Sequence, residues 1–112
     1  MKEDAQKFYK EWKKAMGKMQ KDMPDTVSGF QTLFQKTMGE GELSVATKEC
    51  VALGIALASQ CTPCIRLHVK KAVDAGLTRE QIMEVCGVAT MMGGGPAYTH
   101  AQVVLDALEA ID

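Results

Sequence analysis

The sequence lacks an excess of charge of either sign and a long apolar run, and we expect no signal sequence. Lys and Arg number 13 and Asp and Glu 14 in 112 residues, for a formal net charge of −1, so we expect neither an acidic tail nor a nucleic-acid-binding surface. The longest apolar run, Cys50 to Ala58, is far shorter than the roughly 20 residues that span a bilayer. Met1-Lys2-Glu3-Asp4 does not begin a signal peptide. We therefore expect a soluble, cytoplasmic protein that binds neither nucleic acid nor a membrane.

Internal repeats, low-complexity tracts and long linkers are also lacking. A chain of 112 residues suits one domain, because single cores usually organise about 100 to 150 residues. We predict a single domain over residues 1–112, with an amphipathic helix in residues 1–24 and a core that contains the chemically active residues in residues 44–110.

Between short Gly and Pro clusters, apolar residues recur at three- and four-residue steps, the pattern of amphipathic α-helices. The first predicted helix gathers an apolar stripe comprising Ala5, Phe8, Trp12, Met16, Met19 and Met23. A second helix opens at Pro24 and ends before Gly39. Its predicted inward face comprises Val27, Phe30, Leu33, Phe34 and Met38.

Capping residues mark the starts of the later helices. Ser44 can cap a third helix, which from Cys50 to Ala58 is apolar on every side, as in a helix packed all round. A buried strand is the alternative for that stretch, but its Leu and Ala content favours helix. Thr62 followed by proline starts a fourth helix that runs to Ala75.

The C-terminal third adds two more helices, which makes the predicted fold an all-α bundle of about six helices. Thr78 and Gln81 form a capping box for the fifth helix, and Pro96 begins the sixth. The predicted inward residues of the fifth are Ile82, Val85, Cys86, Val88 and Ala89. The broad apolar face of the sixth comprises Val103, Val104, Leu105, Leu108 and Ile111. Because so short a chain fills only one small core, the remaining apolar surface predicts a homo-oligomer.

Four cysteines, at positions 50, 61, 64 and 86, make an even count, but in a cytoplasmic protein they more often remain thiols than form a disulfide framework. We interpret Cys50 and Cys86 as small buried hydrophobic residues. Cys61 and Cys64 belong to the stretch CTPCIRLH, and a close pair of this kind is typically catalytic, redox-sensing or metal-binding.

Cys64 and His68 are four residues apart on the fourth predicted helix, so their side chains share one face. A helix N-terminus and a nearby imidazole both favour the reactive thiolate, and Cys61 is close enough to form a disulfide with Cys64. Glu49 lies at a similar height on the third helix if residues 59–62 form the turn, counting 1.5 Å per residue. Its carboxylate could orient the ring of His68.

Other interpretations of these residues stay open. Cys61, Cys64 and His68 could bind zinc with a fourth ligand from Cys50, Cys86, His100 or Glu49, although no second distant pair of ligands is present. The two cysteines could be buried hydrophobic residues, and His68 could simply cap or pack. Gly93 to Pro96 predicts a tight connection between helices, and we interpret His100 as a histidine satisfied within the core.

From Lys48 to about Glu109 the chain resembles the carboxymuconolactone decarboxylase superfamily. Its redox branch, similar to alkyl hydroperoxidase D, carries Glu, eleven residues, Cys-x2-Cys, three residues and His. Glu49, Cys61, Cys64 and His68 match that pattern at every spacing. The segments AGLTREQIMEV and GGGPAYTHA also resemble the superfamily.

This resemblance implies an all-helical homo-oligomer, a trimer or a hexamer, with peroxidase or disulfide reductase activity and no cofactor beyond a redox-active disulfide. Cys64 would become a sulfenic acid, Cys61 would resolve it to the disulfide, and Glu49 and His68 would relay protons. The substrate would be a peroxide or a disulfide, and the electron donor a redox protein or a small thiol. The peroxidase relatives often carry a histidine between the two cysteines, where this chain has Pro63.

Two other enzyme types are alternatives. The stretch RLHV, at Arg66 to Val69, resembles the γ-carboxymuconolactone decarboxylase branch, but decarboxylation needs no thiol pair. A thioredoxin fold would also offer Cys-x-Pro-Cys, yet its motif follows a strand, and no convincing strand is present.

Overall fold

The computed structural model describes residues 1–111 and consists of six α-helices, with no strand among those residues. The helices are α1 (Lys2–Asp22), α2 (Pro24–Met38), α3 (Val45–Ala58), α4 (Thr62–Asp74), α5 (Arg79–Gly93) and α6 (Gly95–Ile111). The prediction of an all-α fold of about six helices is confirmed. No helix in residues 1–111 is long and apolar enough to cross a membrane.

The core lies among α3, α4, α5 and α6. Helix α3 packs against both α4 and α5, and α6 packs across α4 and α5. The largest side chains that are fully removed from solvent there are Leu53, Leu57, Ile65, Val69, Ile82 and Val104. Buried residues recur at four-residue steps in each helix, as in Leu53 and Leu57, Ile65 and Val69, Ile82 and Cys86, and Val104 and Leu108. One stripe of each helix therefore faces the common interior.

Side-chain caps start three of these helices. Ser44 Oγ accepts a hydrogen bond from the Thr47 amide at 3.1 Å, and Thr78 and Gln81 form the predicted reciprocal capping box. The predicted cap of α4 was wrong by one residue. Cys61 is the N-cap, while Thr62 is already helical and Pro63 occupies the first turn. Proline is tolerated there because the first N–H groups of a helix have no intrahelical acceptor.

Helix α3 is not packed all round by its own chain, in contrast to the sequence-based expectation. Val51 and Ile55 are 54% and 63% exposed, because the helices of the same chain leave that side of α3 uncovered. The same holds on α5, where Val88, predicted to point inward, is 61% exposed. An apolar side of the bundle is therefore open in the single chain.

Helices α1 and α2 lie outside this core. Helix α1 packs against α6 and α2, and α2 also contacts α3. Ala5 and Val27 are buried as predicted, but Phe30 and Leu33 are 64% and 61% exposed. The predicted inward face of α2 was therefore too broad, since only part of the helix circumference lies against its neighbours.

The stretch of three glycines forms a tight connection, as predicted. Helix α5 ends at Gly93 and α6 begins at Gly95. Gly94 has a φ of 74°, a backbone conformation that glycine adopts without the steric cost that a side chain would bring. The turn directs α6 back across the core.

Candidate redox site

A buried carboxylate and an imidazole join α3 to α4. His68 Nδ1–H donates a hydrogen bond of 2.7 Å to Glu49 Oε1. Glu49 is only 3% exposed, and a carboxylate that is removed from water without a partner would be costly. This contact agrees with the prediction that Glu49 and His68 lie at similar heights on neighbouring helices.

The two neighbouring cysteines are joined by a disulfide at the start of α4. The Cα atoms of Cys61 and Cys64 are 5.2 Å apart. The Cys64 amide donates a hydrogen bond of 3.3 Å to Cys61 Sγ, so the sulfur of Cys61 serves as the helix cap. In the dithiol form this position favours negative charge on Cys61, because free N–H groups and the positive end of the helix dipole face it.

A small pocket of about 290 Å³ opens beside the disulfide. Its lining is formed by Ala52, Ile55, Ala56, Ser59, Cys64 and His68. Cys64 and His68 thus share one cavity, as their spacing predicts, whereas Cys61 is absent from its walls. Nε2 of His68 has no hydrogen bond to a residue in 1–111 and is not sealed from solvent. It is therefore free to exchange a proton with a group in the pocket.

An aromatic ring from α2 completes the surroundings of His68. The ring of Phe34 stacks on the imidazole with a centroid distance of 6.0 Å and an interplanar angle of 21°. Lys71 Nζ lies 4.9 Å from the centroid of the Phe34 ring. Sequence reasoning missed Phe34 as a site residue, because its only signal was membership of the apolar face of α2.

The comparison with protein families agrees with this fold and motif. Residues 24–107 match the model of the carboxymuconolactone decarboxylase family. The chain belongs to this family. The Cys-x2-Cys pair is consistent with the alkyl hydroperoxidase D-like branch of the carboxymuconolactone decarboxylase family.

Similar proteins span nearly the whole chain. The uncharacterized protein 4 in the cox locus of Paracoccus denitrificans is 38% identical over 98 residues, which are 88% of each chain. The crystal structure of a carboxymuconolactone decarboxylase family protein from Legionella pneumophila, in the apo form, has a TM-score of 0.78 and 38% identity, covering 90% of this chain and 88% of that one.

A second similar structure comes from Thermotoga maritima. It is a carboxymuconolactone decarboxylase family protein for which involvement in the antioxidative response has been suggested. Its TM-score is 0.82 at 27% identity, and the match covers 94% of this chain and 89% of that one.

The other cysteines lie outside the candidate redox site. Cys86 is buried in the core, and burial raises the pKa of its thiol, which makes it a poor nucleophile. Cys50 is only half-buried, so the interpretation of it as a buried hydrophobic residue was too strong. His100 Nδ1–H donates a hydrogen bond to the Pro96 carbonyl at 2.8 Å.

The residues considered for zinc do not form a cluster of ligands. No group of three or more His, Cys, Asp or Glu side chains within residues 1–111 is placed to hold a metal ion. Cys61 and Cys64 are bonded to each other, so neither can supply a thiolate to zinc in this form. The arrangement is suited to exchange between dithiol and disulfide.

A larger apolar groove of about 620 Å³ lies between α3 and α5. Its walls include Cys50, Val51, Gly54, Ile55, Val88 and Met92. Ile55 lines both this groove and the pocket beside the disulfide. The open apolar side of the bundle therefore borders the candidate redox site.

Proposed function

We propose that this protein is a cytoplasmic thiol-dependent oxidoreductase that reduces peroxides or disulfides through the Cys61–Cys64 pair. The observation that carries the proposal is the shared pocket. It places Cys64, which is disulfide-bonded to Cys61, beside His68, whose ring is held by the buried carboxylate of Glu49. A nucleophile, a partner thiol and an oriented base are the parts that such chemistry requires.

With a peroxide as substrate, the Cys64 thiolate attacks one oxygen and the O–O bond breaks. The other oxygen takes up a proton and leaves as water or an alcohol, and Cys64 becomes a sulfenic acid. The Cys61 thiol then attacks the Cys64 sulfur, the S–O bond breaks, and water leaves as the disulfide forms. A protein or small-molecule dithiol returns two electrons and two protons to regenerate the reduced pair.

With a disulfide as substrate, the reaction is thiol–disulfide exchange. The Cys64 thiolate attacks one sulfur of the substrate and a thiolate leaves. The resulting mixed disulfide is resolved by Cys61, which releases the second thiol of the substrate. The peroxidase relatives often carry a histidine between the two cysteines, where this chain has Pro63. His68 is therefore the one imidazole in residues 61–68 that can exchange protons.

Glu49 and His68 have separate roles in this scheme. The Glu49 carboxylate accepts the Nδ1–H hydrogen bond at 2.7 Å, which fixes the tautomer and leaves Nε2 to act as the base. His68 takes the proton of the Cys64 thiol and later delivers it to the leaving oxygen or sulfur. General acid–base assistance of this kind contributes roughly 10²- to 10⁴-fold in rate.

Turnover measured with single cysteine variants tests the function and the order of attack. Cys64→Ser should abolish peroxide-dependent oxidation of dithiothreitol, whereas Cys61→Ser should accumulate a sulfenic acid on Cys64 that a dimedone probe captures. If instead Cys64→Ser accumulates a sulfenic acid on Cys61 and Cys61→Ser accumulates none on Cys64, the roles of the two sulfurs are reversed, as the capping position of Cys61 would allow. Stoichiometric zinc in protein purified without chelators would contradict the redox assignment. Decarboxylation of a lactone acid by the protein would also contradict it.

We also propose that the functional form is a homo-oligomer, a trimer or a hexamer, in which the groove between α3 and α5 is covered by another copy. The proposal is supported by Val51, Ile55 and Val88, which are more than half exposed in the single chain. Burying one such aliphatic side chain is worth about 1.5 to 3 kcal/mol.

A further inference from the structure

We propose that Phe34 is a positioning residue of the redox site, which holds the His68 imidazole in the orientation that meets Glu49. The inference deepens the proposed redox function and rests on it for the expected effect on turnover. It starts from the stacked rings of Phe34 and His68, which lie 6.0 Å apart with an angle of 21° between their planes.

One hydrogen bond does not fix an imidazole. The terminal torsion of a histidine side chain is broad, so the ring can pivot about the contact between Nδ1 and Glu49 Oε1 while that contact is kept. A flat ring packed against the imidazole face restricts this pivoting. The Phe34 ring is the aromatic group that stacks on His68 within residues 1–111, and it thereby limits the directions in which Nε2 can point.

Phe34 is itself held in place from α4. Lys71 Nζ lies 4.9 Å from the centroid of its ring, a distance at which an ammonium group is attracted to an aromatic face. Lys71 follows His68 by three residues, so both lie on the same side of α4. The side of α4 that carries the imidazole thus also carries the cation that attracts the Phe34 ring.

The helix that bears Phe34 is also tied to the helix that bears Glu49. Lys48 Nζ donates hydrogen bonds to the carbonyl oxygens of Thr37 at 2.8 Å and Gly39 at 2.6 Å, at the end of α2. Because Lys48 directly precedes Glu49, these hydrogen bonds hold the C-terminal end of α2 close to the buried carboxylate. These contacts give Phe34 a fixed place relative to both members of the Glu49–His68 pair.

Phe30 provides a matched control on the same helix. It is one turn before Phe34 and has the same side chain, but it is 64% exposed. Its ring lies 6.5 Å from the ring of Phe34, and among residues 1–111 the aromatic ring that stacks on His68 is that of Phe34. Phe30→Leu therefore removes one aromatic ring from the same helix, including its contact with Phe34, but keeps the ring that stacks on the imidazole. An effect through the imidazole is expected for Phe34→Leu alone.

The first measurement is the NMR spectrum of the His68 imidazole, assigned with His68→Gln. Phe34→Leu should shift the ring proton resonances of His68 by removing the ring current of the stacked phenyl group, while Phe30→Leu should leave them in place. Unchanged His68 resonances in Phe34→Leu would overturn the proposal. This readout needs no enzyme activity, so it tests the inference even if the protein proves inert towards peroxides and disulfides, a result that would refute the proposed function.

The second measurement is peroxide-dependent turnover in the native and His68→Gln backgrounds. In the otherwise native protein, Phe34→Leu should lower the turnover rate about tenfold, which is part of what accurate placement of a reacting group contributes. Phe34→Tyr, which keeps an aromatic ring, should turn over at the native rate. In the His68→Gln background the same substitution should have no further effect. An equal loss in both backgrounds, or an equal loss in Phe30→Leu, would show that Phe34 acts only on the stability of the fold.

Discussion

Glu49 Oε1 lies 2.7 Å from His68 Nδ1 although nineteen positions separate the two residues along the chain. One residue belongs to α3 and the other to α4, so the hydrogen bond closes the hairpin that these helices form. Because the carboxylate is almost fully buried, we expect the pair to contribute to stability as well as to the chemistry proposed for the pocket.

A double-mutant cycle should measure this contribution. Using Glu49→Gln, His68→Gln and the double variant, we expect a coupling free energy of about 1.5 to 3 kcal/mol, the range for hydrogen bonds to charged groups, in urea unfolding at neutral pH. The exposed pair Lys70 and Asp74, with 3.7 Å between Nζ and Oδ1, is the control and should couple by less than about 0.5 kcal/mol. If the effects of Glu49→Gln and His68→Gln on the free energy of unfolding were additive, the expected coupling would be absent and the prediction would be contradicted.

The phenol of Tyr9 should make stability fall at alkaline pH. Tyr9 donates a hydrogen bond to the Arg66 carbonyl, which fastens α1 to α4. Burial raises the pKa of Tyr9 from 10.0 to about 12, although the Arg66 charge acts in the opposite direction. A group whose pKa is raised by folding stabilises the protein fully below its unfolded pKa, and this stabilisation is lost as the pH rises through its folded pKa.

We therefore expect the stability difference between the native protein and Tyr9→Phe to be constant below pH 10 and to shrink from pH 10 to about pH 12. At neutral pH, Tyr9→Phe should be less stable by about 1 kcal/mol, the net value of a typical hydrogen bond. Urea unfolding of both proteins at several pH values provides the test, because the ionisation of lysines cancels in the difference. A stability difference that grows as the pH rises from 10 to about 12 would contradict the prediction.

Cys86 should be chemically inert in the folded protein. Its side chain is buried in the core and burial raises the pKa of the thiol, so little thiolate is available and reagents cannot reach it. After reduction, iodoacetamide should label Cys61 and Cys64 within minutes and Cys86 only in denaturant, as located by peptide mass. Labelling of Cys86 as fast as that of Cys64 under native conditions would show that this part of the core opens readily.

The open groove should control assembly. Val88→Glu places a charge among the exposed apolar side chains between α3 and α5, and a buried unpaired carboxylate is costly. Sedimentation should show an oligomer for the native protein and a monomer for Val88→Glu. Met19→Glu, an exposed apolar position on α1, is the control and should leave the mass unchanged. A native protein that sediments as a monomer would refute the proposed homo-oligomer.

Much of the site could be predicted from the sequence because helix geometry is regular. A fixed rise per residue sets the heights of Glu49 and His68 once the turn between α3 and α4 is located. The four-residue spacing of Cys64 and His68 places both on one face of α4. Capping residues at Ser44 and Thr78 likewise have local signals that do not depend on the rest of the fold.

Other features depend on how the helices lie against each other. The contact between Phe34 and His68 arises from the placement of α2 beside α4, for which spacing along the chain contains no signal. Val51 and Val88 were predicted to be covered, because composition alone does not distinguish burial by the same chain from burial by another copy. The cap at Cys61 was missed because Thr62 is the stronger N-cap residue, whereas the disulfide and the turn before α4 place the sulfur there.

The most direct test of the central claim is a thiol count of the reduced protein before and after one equivalent of peroxide, with the oxidised residues located by peptide mass. The account predicts that two of the four thiols disappear, that Cys61 and Cys64 are joined in one peptide, and that Cys64→Ser forms no such bond. Retention of all four thiols, or oxidation at Cys50 or Cys86 while Cys64 stays reduced, would contradict it.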